Sequence, residues 1–337
     1  MAETVLVAGG AGFVGSHVCK ALARSGFHPV VYDNLASGHR WAVRWGPFEL
    51  GDLLDPAQLD AVLRRHRPAA VINLAAFAAA GESVANPAEY YGNNVQSLLT
   101  LLRCMRNCGI DRIVFSSSAA VYGDPCGVPI REDAAALPVN PYGHSKAMCE
   151  QILRDFGSAY GLKSISLRYF NAAGADPDGE IGEARIFETH LIPLVLDAAL
   201  GRRPCIDVYG DDYDTRDGTC LRDYVHVADL AEAHVRALQR LEGNEASRSY
   251  NLGSGSGATV LEVIGAVERV TGRRIAQRRV LRRVGDPACL VADATLAARE
   301  LGWRPRYAEV DCQIEHAWRW RSNGLAAGMW DAGVAAE

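Results

Sequence analysis

Short apolar runs alternate with longer segments of helical periodicity through the first half of the chain. Strands are predicted at Thr4–Ala8, Pro29–Tyr32, Ala69–Leu74, Ile113–Ser117 and Ser164–Tyr169. Helices are predicted at Phe13–Ser25, Pro56–His66, Pro87–Cys108 and Pro141–Tyr160. Because buried strands that alternate with helices are typical of a parallel sheet covered on both faces, the pattern predicts an α/β fold with a Rossmann-type, doubly wound parallel sheet.

The alternation becomes less regular after about Asn171. Helices are predicted at Thr189–Leu200, Ala228–Leu241 and Tyr307–Arg321, and a strand at Ser249–Leu252 is expected to return to the main sheet. We therefore predict a Rossmann domain over residues 1–170, to which residues 226–253 return. A smaller mixed α/β substrate lobe is expected over residues 171–225 and 254–337.

The composition and charge of the chain argue against nucleic-acid and membrane partners. The 337 residues are 49% hydrophobic and carry a formal net charge of -5, so no basic field attracts nucleic acid or an anionic membrane. No segment approaches the roughly 18 uninterrupted apolar residues of a membrane span, and the start does not resemble a signal peptide. The nine cysteines lack the spacing of a zinc site, and Asp212, Asp214 and Asp217 lack the register of a calcium loop. We expect a cytoplasmic protein with reduced thiols, no metal, and no nucleic-acid or membrane partner.

Three glycines follow the first predicted strand directly and open the first predicted helix. Gly9, Gly12 and Gly15 supply the tight turn and the close backbone approach that a dinucleotide diphosphate needs at a helix N-terminus. Asp33 ends the second strand, close to the spacing of about 20 residues at which a carboxylate binds ribose hydroxyls. Asp52 follows the next short strand, where it would reach the adenine. Since Asp33 would repel a 2′-phosphate, the pattern favours NAD over NADP.

A tyrosine and a lysine lie four residues apart at the start of a predicted helix. This spacing places Tyr142 and Lys146 on one helical face. A neighbouring ammonium lowers the pKa of a phenol, so Tyr142 is a candidate base for a substrate hydroxyl. Ser118, just after the strand Ile113–Ser117, is placed to hydrogen-bond the same hydroxyl.

These motifs together resemble the extended short-chain dehydrogenase/reductases, and within them the UDP-glucose (UDP-galactose) 4-epimerases. The resemblance covers nearly the whole chain. The stretches that carry it are Gly9–His17, Tyr32–Leu35, Gly81–Val84, Tyr90–Asn94, Phe115–Ser118, Val121–Asp124, Asn140–Gly143, Arg168–Asn171, Arg222–His226 and Asn251–Gly253. It implies an isomerase that oxidises the fourth carbon of a UDP-hexose to a transient 4-keto intermediate and reduces it on the other face. NAD would be tightly bound and recycled.

The resemblance also implies which residues form the sites. The catalytic residues would be Ser118, Tyr142 and Lys146. The cofactor-binding residues would be Gly9, Gly12, Phe13, Val14, Gly15, Asp33, Asn34, Asp52, Leu53, Asn93, Tyr142, Lys146 and Tyr169. The substrate-binding residues would be Ser118, Tyr142, Asn171, Leu191, Tyr209, Arg222, Arg283 and Asp286. Tyr209 would stack on uracil and the arginines would bind the diphosphate. Asp223 and His226 are expected to be structural, and a homodimer is expected through the two long helices.

Several positions leave alternatives open. Ala78, Asn73, Ala120 and His190 depart from the residues common in the better-known relatives, and Leu290 matches a gate residue that limits sugar size. The main alternative is a 4-epimerase of another UDP-sugar, such as UDP-xylose/arabinose, UDP-glucuronate or UDP-N-acetylglucosamine. A dehydratase or decarboxylase is disfavoured because Ser118 is followed by two alanines and not by acids. A non-catalytic NAD-binding protein is disfavoured because Tyr142 and Lys146 are both present.

Overall fold

The computed structural model describes residues 2–125, 127–185, 187–243, 247–283 and 286–326, with the backbone alone over 324–326. The strands are β1 (Thr4–Ala8), β2 (His28–Asp33), β3 (Phe48–Leu50), β4 (Ala70–Asn73), β5 (Arg112–Ser118), β6 (Lys163–Tyr169), β7 (Asn171–Ala173), β8 (Ile206–Tyr209), β9 (Leu221–Arg222), β10 (Tyr224–His226), β11 (Arg248–Leu252), β12 (Ala258–Thr259), β13 (Gln277–Val280) and β14 (Cys289–Leu290). The helices are α1 (Phe13–Arg24), α2 (Pro56–His66), α3 (Ala80–Ala85), α4 (Pro87–Tyr90), α5 (Ser97–Asn107), α6 (Pro141–Tyr160), α7 (Leu191–Ala199), α8 (Val227–Glu242), α9 (Val260–Thr271), α10 (Thr295–Glu300) and α11 (Val310–Ala326).

Seven parallel strands form the central sheet, in the order β11-β6-β5-β4-β1-β2-β3. Successive residues of β1 point to opposite faces, so Val5 and Val7 pack under α1 and α8 while Leu6 and Ala8 pack under α2, α5 and α6. Burial on both faces explains why these strands are continuous apolar runs in the sequence. The predicted doubly wound α/β fold is confirmed, and β11 returns to the sheet as expected.

The predicted helix Pro87–Cys108 differs from the structure in one respect. A π-helical segment, Tyr91–Gln96, separates α4 from α5. Within it, buried Asn94 exchanges hydrogen bonds with the backbone of Phe77 and donates to the Ser145 hydroxyl on α6 over 3.0 Å. These bonds reach outside the helix, which is why helical periodicity alone did not predict the segment. The short helix α3 was also not predicted, because its alanine-rich sequence has no apolar periodicity.

The later segments form small sheets around a separate apolar core. This core draws on α7, α9 and α11 together with β8, whose residues Ile206 and Val208 are buried. Ala297, Leu301 and Trp303, however, pack with the core under α1 and α8. The division into 1–170 with 226–253, and 171–225 with 254–337, remains our proposal, and residues 244–246, 284–285 and 327–337 lie outside the described residues. No helix within the described ranges is both long and apolar enough to cross a membrane.

Candidate active site

The glycine turn between β1 and α1 is shaped to receive an anion. Gly9 has a φ of +78°, which favours glycine, and a Cβ on Gly15 would lie 2.0 Å from the Gly9 carbonyl oxygen. Gly12 caps α1 without a side-chain hydrogen bond to the helix. The N–H groups of the first turn therefore face outward with the positive end of the helix dipole, which fits the diphosphate of a dinucleotide. Phe13 and Val14, both half-buried, form the first turn of this helix.

Asp33 lies at the end of β2 beside this turn. Its carboxylate accepts hydrogen bonds from the backbone N–H groups of Ala11 (3.0 Å) and Leu35 (2.8 Å). Burial raises the pKa of Asp33, and the two N–H donors oppose that rise. Each oxygen accepts only one of these bonds, which leaves acceptor capacity for the ribose hydroxyls of a dinucleotide.

Asn34, Asp52 and Leu53 lie together beyond the ends of β2 and β3. The Asn34 side-chain amide donates to the Asp52 carboxylate over 3.0 Å, and Leu53 is buried. The residues that were expected to bind the adenosine half of the cofactor are thus neighbours of one another and of Asp33.

The three proposed catalytic residues come from β5 and α6. The Asn140 side chain accepts from Gly143 N–H at the start of α6, and Pro141 follows at the first helical position, so Tyr142 lies in the first turn. Lys146, one turn on, donates to the Ser116 carbonyl over 2.8 Å, and its Nζ lies 5.9 Å from the Tyr142 ring centroid. Ser118, the last residue of β5, is close enough to Tyr142 for its hydroxyl to influence the pKa of the phenol.

Burial dominates the electrostatics of this set. It raises the pKa of Tyr142, and the Ser118 hydroxyl and the Arg185 charge oppose the rise. Burial lowers the pKa of Lys146 to about 8, against the opposing effects of Cys149 and Glu150. Lys146 is therefore still an ammonium at pH 7, where it can stabilise a phenolate at Tyr142.

The depressed pKa of Lys146 predicts a pH-dependent stability. In the unfolded chain the ordinary pKa is 10.5, so between about pH 8 and 10.5 the unfolded state binds more protons than the folded state. The free energy of unfolding should therefore rise with pH through this window. The free energy of unfolding, measured in urea, should rise between pH 7.5 and 9.5 by about 2 kcal/mol more in wild type than in Lys146→Met. A difference between the two proteins that stays constant with pH would contradict this account.

Asn93 and Tyr169 border the same region. Tyr169 is opposite Ser118 in the register of β5 and β6, and its hydroxyl hydrogen-bonds that of Ser116, whose carbonyl holds Lys146. The Asn93 side-chain amide donates to the Asn94 side-chain oxygen over 3.0 Å. Both positions are consistent with the expected contact to the cofactor, which remains a proposal.

A buried ionic network behind the catalytic set was not predicted. Arg168 on β6 forms a two-point ion pair with Glu150 on α6, with Nε–Oε1 and Nη2–Oε2 distances of 2.8 and 2.6 Å. Its Nη1 also donates to the Tyr122 hydroxyl, and Ser117 donates to Glu150. The Arg168–Asn171 stretch is one of those that carry the family resemblance. Its sequence does not indicate that Arg168 pairs with Glu150, and the structure shows this pairing.

The proposed substrate residues form two pairs. The Arg283 guanidinium lies 3.9 Å from the Tyr209 ring centroid, and Arg222 forms an ion pair with Asp286. Arg283 thus covers one face of the Tyr209 ring, which was expected to stack on uracil.

The other candidate residues for the substrate site lie on β7, α7 and β14. Asn171 begins β7, while Leu191 begins α7 and packs against the core of the later segments. Leu290 is opposite Arg222 in the register of β14 and β9 and packs against the apolar cluster that includes Ala119 and Tyr122. Asp223 accepts four hydrogen bonds, from Ser254, Gly255 and Ala292, as expected of a structural residue.

Comparison with known proteins agrees with this geometry. Residues 5–253 match the model of the NAD dependent epimerase/dehydratase family. The chain belongs to this family. The NAD prediction is therefore confirmed at the level of the family, and Ser118, Tyr142 and Lys146 all lie within the matched residues.

The similar proteins within the family include several UDP-glucose 4-epimerases. The chain is 53% identical to that of Rhizobium meliloti (strain 1021), over 95% of this chain and 97% of the relative. The crystal structure of UDP-glucose 4-epimerase from Brucella ovis in complex with NAD is 50% identical with a TM-score of 0.92, covering 94% of this chain and 98% of the other. The epimerase from Bifidobacterium longum in complex with NAD+ and UDP is 40% identical with a TM-score of 0.92, covering 96% and 99%. The resemblance drawn from the sequence motifs is confirmed.

Proposed function

We propose that this protein interconverts UDP-galactose and UDP-glucose by inverting the 4-hydroxyl through a transient 4-keto sugar, with tightly held NAD that is recycled. The observation that carries the proposal is the convergence of Ser118, Tyr142 and Lys146 at the ends of β5 and α6, in a chain whose glycine turn and Asp33 suit a dinucleotide. The chemistry that bound NAD supplies is reversible acceptance of a hydride.

The proton steps fall to the protein's own side chains. Tyr142 accepts the proton of the sugar 4-hydroxyl and returns it after inversion, because its phenol lies beside the Lys146 ammonium. Ser118 hydrogen-bonds the reacting oxygen and the phenol. The two residues after Ser118 are Ala119 and Ala120, which carry no acid or base that could eliminate or decarboxylate. The constellation therefore favours epimerisation over dehydration.

Substrate binding requires a firm hold on UDP and a loose hold on the sugar, since the 4-keto sugar must turn over between the two half-reactions. Arg222 and Arg283 supply guanidinium groups for the diphosphate, and Tyr209 supplies a ring for uracil. On binding, Arg283 leaves the face of Tyr209, and Arg222 exchanges part of its pairing with Asp286 for phosphate. Ala120, two residues after Ser118, is half-buried, and its small side chain leaves room for the sugar to turn.

The proposal extends to a cytoplasmic homodimer formed through the π-helical segment with α5 and through α6. On α6, Met148 and Tyr160 are about half exposed, and Arg106 of α5 lies 4.1 Å from the Tyr160 ring centroid. An exposed face shared by two adjacent helices supports such an interface. Equilibrium ultracentrifugation at micromolar protein is expected to give the dimer mass, and a monomer mass would contradict the dimer.

The direct test of the reaction is conversion of UDP-galactose by purified protein without added NAD. Formation of UDP-glucose, resolved by chromatography, is the expected result. No product even with NAD added would overturn the proposed substrate. Parallel assays on UDP-xylose, UDP-glucuronate and UDP-N-acetylglucosamine would then identify an epimerase of another sugar.

Leu290 offers a test of sugar size. A tyrosine at this position would add a ring beside the apolar cluster that includes Ala119, the residue after Ser118. We expect Leu290→Tyr to lower the kcat/KM ratio of UDP-N-acetylglucosamine to UDP-galactose about tenfold or more, and Leu290→Ala to raise it. Leu281→Ala, at a side chain that is 92% exposed, is the control. An unchanged ratio in both Leu290 variants would remove Leu290 from the sugar site.

A further inference from the structure

A segment of the later part of the chain crosses α1 and is fastened to it. We call Asp176–Arg185 the strap. Lys20 of α1, whose side chain is only 5% exposed, forms ion pairs with Asp176, Asp178 and Glu180 over 2.7, 2.8 and 2.6 Å. Three carboxylates of the strap thus converge on one buried ammonium of the helix whose N-terminus forms the glycine turn. This arrangement holds the strap close to the proposed cofactor site.

The far end of the strap is fastened as well. His39 hydrogen-bonds the Ala184 carbonyl, and the Trp320 indole donates to the Glu183 carbonyl over 3.1 Å. At Gly182 a Cβ would lie 2.3 Å from the Trp320 ring, so the backbone is pressed against the indole. These contacts hold the backbone that leads directly to Arg185, the last residue of the strap.

Arg185 lines a cavity of about 200 Å³ that is shared with Gly12, Phe13 and Ser16 at the N-terminus of α1. Among the described residues around this cavity, the side chains that carry full charges are Glu82 and Arg185. A cavity that receives a diphosphate requires a cation to offset Glu82, and Arg185 is placed to supply it.

The guanidinium of Arg185 is oriented by one hydrogen bond, and its other donors are unused among the described residues. Its Nε donates to Glu183 Oε1 over 2.8 Å, and the same buried carboxylate oxygen lies 2.7 Å from His190 Nδ1. Within the described part of the chain, the two Nη groups of Arg185 have no hydrogen-bond partner. They are therefore available to a ligand in the cavity. The positive charge of Arg185 also opposes the rise in the pKa of Tyr142.

We propose that Arg185 is a cofactor-binding residue that contacts the diphosphate of NAD, and that the strap which carries it retains the cofactor. The inference rests on the proposed function in that NAD occupies the site at the glycine turn. Charged hydrogen bonds to phosphate are strong and geometrically specific, so a single guanidinium has a large effect on retention. The absence of an ammonium or guanidinium elsewhere among the described cavity residues makes Arg185 the one candidate there.

The test compares binding of NAD, ADP-ribose and adenosine to cofactor-stripped wild type, Arg185→Gln and Arg185→Lys, by calorimetry or competition. We expect Arg185→Gln to weaken NAD and ADP-ribose at least about tenfold, and to leave adenosine within about twofold. Arg185→Lys should recover only part of the affinity, because it restores the charge but not the two Nη donors. Added salt should weaken binding more in wild type than in Arg185→Gln, because the variant lacks the charge contact.

Arg274→Gln, at a side chain that is 95% exposed, removes an equal charge away from the cavity and should bind like wild type. Equal affinity of wild type and Arg185→Gln for NAD and ADP-ribose would overturn the inference, while wild-type conversion of UDP-galactose would leave the proposed function intact. A loss of UDP affinity without a loss of NAD affinity would also overturn it. Failure of wild type itself to bind NAD would overturn both.

Discussion

Replacing Tyr142 by phenylalanine is expected to lower kcat for UDP-galactose by about a thousandfold. The phenol is the group that exchanges a proton with the sugar 4-hydroxyl, and general acid–base catalysis contributes about 10² to 10⁴ in rate. The ring itself, 6.5 Å from that of Tyr90, keeps its packing in the variant. The free energy of unfolding should therefore change little, which separates loss of the base from loss of the fold.

The measurement is a steady-state assay of wild type and Tyr142→Phe with UDP-galactose, together with urea unfolding of both. Tyr160→Phe is the matched control, because it removes a hydroxyl from an exposed tyrosine at the other end of α6. Its kcat should equal that of wild type. A Tyr142→Phe variant that keeps more than about a tenth of the activity would remove Tyr142 from the role of base.

Replacing Glu150 by glutamine is expected to lower the free energy of unfolding by about 3–5 kcal/mol. Removing one member of a buried ion pair leaves the other charge uncompensated in a poorly solvated site. Here the side chains of Glu150 and Arg168 are 4% and 8% exposed. Since Glu150 also raises the pKa of Lys146, its loss should lower that pKa further.

Urea unfolding measures this effect, with Arg154→Gln as the control. Arg154 lies 3.8 Å from Glu150 but is 54% exposed, so its removal should cost no more than about 1 kcal/mol. The double variant Glu150→Leu with Arg168→Met, which removes both charges, should be more stable than Glu150→Gln alone. A loss below about 1 kcal/mol in Glu150→Gln would contradict the assigned role of the pair.

The parts of the site that could be predicted from the sequence depend on local geometry. The turn at Gly9–Gly15 needs glycine backbones, Asp33 ends a buried strand, and Tyr142 and Lys146 are one helical turn apart. Each of these requirements is met within a few residues. They are therefore visible in a single sequence.

The parts that could not be predicted depend on pairing between distant segments. Lys20 meets Asp176 across 156 positions, and Arg168 meets Glu150 between a strand and a helix. Neither pair has a periodicity or a spacing in the sequence from which it could be predicted. The same holds for Arg283, which covers the ring of Tyr209 because β13 pairs with β8.

The measurement that tests the central claim most directly uses UDP-galactose deuterated at the fourth carbon of the sugar, in ordinary water. If Tyr142 moves only the hydroxyl proton and the hydride is held and returned within one active site, the UDP-glucose formed should retain the deuterium at that carbon. Nuclear magnetic resonance of the product reports the label. Loss of the deuterium from that carbon to solvent would contradict the account.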